Sequence, residues 1–81
     1  MSILLADDDR ITTRVLEKQL RARGHEVRVV HAAADAWEVL CSDSPPLVAV
    51  LDWTMPGVSG PELCRGVRAR EGAPFVYLVL L

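Results

Sequence analysis

Four aspartates stand where short apolar runs end. Asp7, Asp8 and Asp9 follow Ile3 to Ala6, and Asp52 closes Leu47 to Leu51. If those runs are neighbouring strands, Asp7, Asp8 and Asp52 converge on one edge of a sheet. Clustered negative charges repel, so without a compensating cation at least one of these carboxyls holds its proton to a higher pH than usual. A divalent cation removes that cost. Carboxylate oxygens, a backbone carbonyl and several waters suit Mg²⁺, a hard octahedral ion usually held by one or two carboxylates plus phosphate oxygens. Such a site can bring a phosphoryl donor to a carboxylate nucleophile and form an aspartyl phosphate, with the metal neutralising charge on the transferring group. Acidic residues after strands also cap helices or solvate loop ends, and Asp9, beside a helix start, fits that plainer role.

The elements that must position these groups follow from the spacing of apolar residues. Ile3 to Ala6 reads as a strand. Ile11, Val15, Leu16 and Leu20 read as the apolar face of a helix with Arg10, Arg14, Lys18 and Arg21 between them, stopped at Gly24. Val27 to Val30 is a β-branched strand. Ala32 to Cys41 is a short helix that Ser42 to Pro46 must end. Leu47 to Leu51 is apolar throughout, which predicts a central strand buried on both faces. Pro61 to Arg70 is a helix with proline in its first turn, and Phe75 to Leu81 is a fourth strand, again continuously apolar. Strands alternating with single helices imply an α/β fold with a parallel sheet and right-handed crossovers. Ligands of such sheets lie at the carboxyl ends of the strands, where the aspartates are.

Composition narrows the function classes. The chain has 81 residues, 9 Lys plus Arg against 11 Asp plus Glu, with 51% hydrophobic and 5% aromatic residues. It reads as a single domain over 1–81 whose core is Val, Leu, Ile and Ala. A net charge of −2 gives no global reason for binding nucleic acid or an anionic membrane. The basic residues gather on the first helix, where Arg10, Arg14, Lys18, Arg21 and Arg23 outnumber Glu17, as on a solvated helix face. The longest apolar run, Phe75 to Leu81, is far too short to span a bilayer, and the N-terminus has no basic n-region or long h-region, so a cytoplasmic address is expected. Cys41 and Cys64 are scattered and read as buried, reduced thiols. His25 and His31 read as ordinary surface or packing residues.

Two stretches, Ile3-Leu4-Leu5-Ala6-Asp7-Asp8-Asp9 and Leu47-Val48-Ala49-Val50-Leu51-Asp52-Trp53-Thr54-Met55-Pro56-Gly57-Val58-Ser59-Gly60, carry a family resemblance. The chain resembles, in order and over its whole length, the first two thirds of a response-regulator receiver domain of two-component signalling. The second stretch is the specific one. The resemblance implies a flavodoxin-like, doubly wound sheet, whose full strand order is 2-1-3-4-5. Here it would be truncated after its fourth strand, β-α-β-α-β-α-β in strand order 2-1-3-4. The resemblance also implies that Asp52 is the phosphoacceptor, Asp8 a direct Mg²⁺ ligand, Asp7 the second acidic partner, often acting through water, and the Thr54 backbone carbonyl a further ligand. Met55 and Pro56 would shape the loop behind the acceptor, Gly60 would permit the turn into the third helix, and Trp53 would be partly packed. The implied partners are a sensor histidine kinase, which supplies the phosphoryl group, and an output domain or effector. Such a domain is a phosphoacceptor and not an enzyme in its own right.

Receivers also carry a Ser or Thr ending the fourth strand and a Lys ending the fifth, and Leu81 stands just before the first of these. Lys18, the only lysine, belongs to the first helix. This departure leaves room for an alternative, a receiver-like interaction module that is never phosphorylated. Asp7-Asp8-Asp9 also resembles the Asp-x-Asp of haloacid-dehalogenase-type phosphatases, but that reading leaves Asp52 to Pro56 unexplained and lacks the required Lys. An uncovered Phe75 to Leu81 strand further predicts that the chain pairs through it, exchanges elements with a second copy, or belongs to a longer protein.

Overall fold

A computed structural model describes residues 1–81. The elements run β1 (Ser2–Ala6), α1 (Arg10–Ala22), β2 (Glu26–Val30), α2 (Ala33–Leu40), β3 (Val48–Leu51), α3 (Gly60–Arg68) and β4 (Tyr77–Leu80). The four strands form one parallel sheet in the order β2-β1-β3-β4. The alternation of strands and helices predicts the parallel sheet, and the family resemblance implies its flavodoxin-like order, seen here as far as the fourth strand.

Strand β1 is central, and its alternation sorts the core into two layers. Leu4 and Ala6 face α2 and α3, where they join Ala33, Ala36, Leu40, Ala49, Leu51, Met55, Leu63, Val67 and Val76. Ile3 and Leu5 face α1 with Val27, flanked by Leu16, Leu20, Val29, Val48 and Val50. Leu4 and Leu5 are almost completely buried, and each such side chain contributes about 1.5–3 kcal/mol by leaving water. Burial on both faces is why β1 reads as a continuous apolar run.

The helices are bounded by local chemistry. Asp9 caps α1, its carboxylate accepting from the Ile11 and Thr12 amides. Gly24, at φ +88°, ends that helix in the left-handed region that glycine reaches without strain, and its N–H donates to the Arg21 carbonyl at 3.0 Å. Ser59 caps α3 through the Glu62 amide, with Pro61 in the first turn. The Ser-x-x-Glu spacing of residues 59 to 62 is a capping signature legible in the sequence.

Several expectations need correction. The face of α1 against the sheet is Thr13, Leu16 and Leu20, whereas Ile11 and Val15 are 77% and 52% exposed. At about 100° per residue, Ile11 and Val15 fall on a stripe roughly opposite Leu20, so their spacing mimics one apolar face without sharing it. Thr13 tolerates burial because its hydroxyl bonds the Asp9 and Arg10 carbonyls. In β3 only Ala49 and Leu51 are fully buried; Val48 and Val50 are half-buried because α1 covers the β2 side of that face. The fourth strand is shorter than its apolar run: Phe75 lies outside it, exposed, with the Arg68 guanidinium 4.6 Å from its ring centre and Tyr77 edge-on to it. Leu78 and Leu80 pack toward α2 and α3, while Tyr77 and Val79 are exposed on the other face. Cys41 and Cys64 are free and half-buried rather than fully buried. Burial raises the Cys64 thiol above its ordinary range against the opposing pull of Arg68 and Arg65.

Candidate functional site

Parallel pairing brings the aspartates together. Ala6 pairs with Leu51, and the Asp52 amide continues the ladder by donating to the Ala6 carbonyl at 2.8 Å. On the other side, the Asp7 amide donates to the Val30 carbonyl at 3.2 Å. Residues 7 and 52 therefore leave adjacent strands side by side at the carboxyl edge. One ligand oxygen each from Asp7, Asp8 and Asp52 fits within a 4.8 Å span, with Asp7 and Asp52 half-buried and Asp8 exposed.

The electrostatics follow. The Asp52 carboxyl is raised above its ordinary range, first by burial and then by the charge of Asp7; the Trp53 amide opposes this, and Asp8 and a hydrogen bond with Asp7 add to it. Burial and neighbouring carboxylates both disfavour the charged form. Asp9 behaves oppositely: the amides of Thr12 and Ile11 and the Thr12 hydroxyl hold its carboxyl below the ordinary range. It is a helix cap, outside the cluster. Asp9→Ala should lower the melting temperature, whereas Asp9→Asn, which still offers a capping oxygen, should change it little. Neither should alter Mg²⁺ affinity measured by calorimetry.

The loop after Asp52 is anchored at three points. Met55 is buried beneath it, the Pro56 carbonyl accepts from the Ala33 amide at 3.2 Å, and the Gly60 amide donates to the Trp53 carbonyl at 2.9 Å. Gly57 takes φ +100°. Thr54 lies exposed in this loop, two residues past Asp52. Trp53, expected to be partly packed, is 58% exposed. Gly60 matters for space: a Cβ there would strike the Asp52 carbonyl oxygen and lie 2.7 Å from Leu80 Cδ2. Neither the Gly60 contact nor one between His31 Nδ1 and the Asp7 carbonyl, at 2.9 Å, has a signal in sequence periodicity. Both join residues that only the fold brings close.

The family model for the response regulator receiver domain matches residues 3–80. The chain belongs to that family. Its receiver sequence is 38% identical over 80 residues to the response regulator MprA of Mycobacterium avium, covering 99% of this chain and 34% of that protein. It is 35% identical over 77 residues to the transcriptional regulatory protein AfsQ1 of Streptomyces coelicolor, covering 95% and 34%. The chain thus spans about a third of the length of the relatives it matches. Among solved structures, the receiver domain of the sensor histidine kinase PA1611 from Pseudomonas aeruginosa superposes with a TM-score of 0.83 at 25% identity, over 98% of this chain and 64% of that one. That receiver has a magnesium ion coordinated in its active site cleft. The chain is thus a receiver domain of two-component response regulators, a family whose modules accept phosphoryl groups from histidine kinases. No helix of this receiver is long and apolar enough to cross a membrane.

Proposed function

We propose that this receiver acts in the cytoplasm, accepts a phosphoryl group on Asp52 from the phosphohistidine of a sensor histidine kinase, with Mg²⁺ as its cofactor, and passes the signal to an output domain or effector. The observation that carries this reading is the convergence of Asp7, Asp8 and Asp52 at the sheet edge. The donor set fits the ion: hard carboxylate oxygens, at least one disfavoured as a bare charge. Asp8 and Asp52 would hold Mg²⁺ directly, with Asp7 and the Thr54 backbone carbonyl completing the protein's share. Bound there, the ion would neutralise charge on the transferring group.

The chemical step belongs to Asp52. Its carboxylate oxygen attacks phosphorus in line; the O–P bond forms as the P–N bond breaks, and the electron pair leaves with the imidazole nitrogen. The Asp52 amide bond to the Ala6 carbonyl and the Trp53–Gly60 closure hold the backbone from which that carboxylate attacks. The kinase contact falls to α1, where Ile11 and Val15 are exposed between Arg10, Arg14 and Lys18. Arg21 is committed elsewhere, to Glu17 and the Val27 carbonyl.

Intact mass spectrometry after incubation with acetyl phosphate tests the reading. One phosphoryl adduct is expected with Mg²⁺ and none with a chelator. A folded chain that gains no adduct would instead favour the unphosphorylated interaction module.

A further inference from the structure

The peptide that joins Asp7 to Asp8 is held from outside its own loop. His31 Nδ1 lies 2.9 Å from the Asp7 carbonyl oxygen. A carbonyl only accepts, so Nδ1 carries the hydrogen and donates it. From this contact we infer that His31 is a positioning residue of the acidic site, orienting the Asp7–Asp8 peptide and, through it, both carboxylates.

Asp7 has each of its backbone polar groups committed. Its N–H donates to the Val30 carbonyl at 3.2 Å, and its C=O accepts from His31. Its Oδ1 accepts from the Asp9 amide at 2.9 Å, which leaves Oδ2 for the cluster. The Asp7 carbonyl and the Asp8 N–H belong to one planar peptide unit. A donor fixed on that carbonyl therefore sets the plane from which the Asp8 side chain departs, and Asp8, exposed, makes no side-chain hydrogen bond of its own that would set it otherwise. The β1–β2 register supplies the donor: Ala6 pairs with Val30, so residue 31 leaves its strand opposite residue 7. Two residues on, the Ala33 amide holds the Pro56 carbonyl of the loop after Asp52. One short connection between β2 and α2 thus fixes both loops of the site. Sequence reading treats His31 as an ordinary surface or packing residue because its partner is 24 residues away.

This inference rests on the proposed Mg²⁺ site, and its test separates the two. Imidazole nitrogen correlation spectra of the metal-free chain should show the Nδ1–H tautomer; an Nε2–H tautomer would overturn the inference. Calorimetry should then show His31→Ala weakening Mg²⁺ binding about 10-fold, at the lower end of what loss of an outer-shell partner does, with His31→Asn, which retains an N–H donor, recovering to within about threefold of wild type. Thermal melts monitor folding of both variants. Two folded variants that bind Mg²⁺ as tightly as wild type would make His31 a packing residue and end the inference while leaving the metal site intact. If the wild-type chain binds no Mg²⁺, the proposed function falls, and the metal-free spectra decide about His31: His31→Ala must shift the Asp8 amide resonance and His31→Asn must return it, and failure of either overturns the inference.

Discussion

Asp52→Asn should gain no phosphoryl group from acetyl phosphate and Mg²⁺, and in metal-free buffer at neutral pH it should melt at a higher temperature than the wild-type chain. The two effects share one cause. Asp52 is the nucleophile of the proposed reaction, and it is also the carboxylate whose charge the fold disfavours, through burial first and the neighbouring charge of Asp7 second. The sign follows from linkage. A carboxyl whose folded value lies above its unfolded value holds its proton more tightly in the native state, so stability falls as pH rises from the unfolded value through the folded one. The destabilisation is absent below the unfolded value of about 3.9 and complete above the raised folded value. Asparagine keeps an oxygen for the Trp53 amide and carries no charge. The gain in melting temperature should therefore be present at pH 7 and vanish as pH is lowered below the ordinary carboxylate range. Mg²⁺ should reverse the order, since a ligand at a hundred times its Kd stabilises the state it binds by about 2.7 kcal/mol. A melting temperature of Asp52→Asn equal to wild type at every pH would show that the three carboxylates do not strain one another in solution.

Gly60→Ala is expected to damage both stability and phosphoryl acceptance. The added methyl would meet the backbone carbonyl of Asp52 and the Leu80 side chain together. Leu80 can turn, but the carbonyl moves only if the end of β3 moves. Overpacking of this kind costs on the order of 1–3 kcal/mol, and in a domain of this size each kcal/mol lowers the melting temperature by about 4–8 °C. The displaced group is the backbone of the proposed phosphoacceptor Asp52, so acetyl phosphate labelling should slow even where the variant remains folded. Gly66→Ala is the matched control. Its methyl would lie 2.9 Å from the ring of Trp37, a half-exposed side chain that can tilt away from α3, and meets no atom of Asp52. It should lower stability and leave labelling of the folded fraction unchanged. Equal labelling of Gly60→Ala and wild type would mean that the close approach at Asp52 has no role in aligning the carboxylate.

The element order and the acidic edge were legible in the residues alone. Continuous apolar runs mark strands, and β1 and β3 appear where Ile3 to Ala6 and Leu47 to Leu51 predict them, although of the two only β1 is fully buried on both faces. Proline and glycine mark the ends of helices because their backbone limits are local; Gly24 stops α1 and Pro61 opens α3 for that reason. Aspartates at the ends of parallel strands meet once the strand order is known, and the resemblance supplied that order.

Only the tertiary structure decided the remainder, because it depends on which surfaces meet. The apolar spacing on α1 does not say which residues touch the sheet, and Thr13 takes a place that composition alone would assign to Ile11 and Val15. Phe75 leaves β4 for a contact with Arg68, and one face of that strand stays uncovered although every residue in it is apolar. The closest supports of the acidic site, His31 on the Asp7 carbonyl and Gly60 against the Asp52 carbonyl, join residues distant in sequence or reflect only missing volume. Sequence pattern thus determined which carboxylates this chain offers and on which edge; three-dimensional packing decided which residues hold them in place, since hydrogen bonds and steric contacts depend on distances that periodicity does not encode.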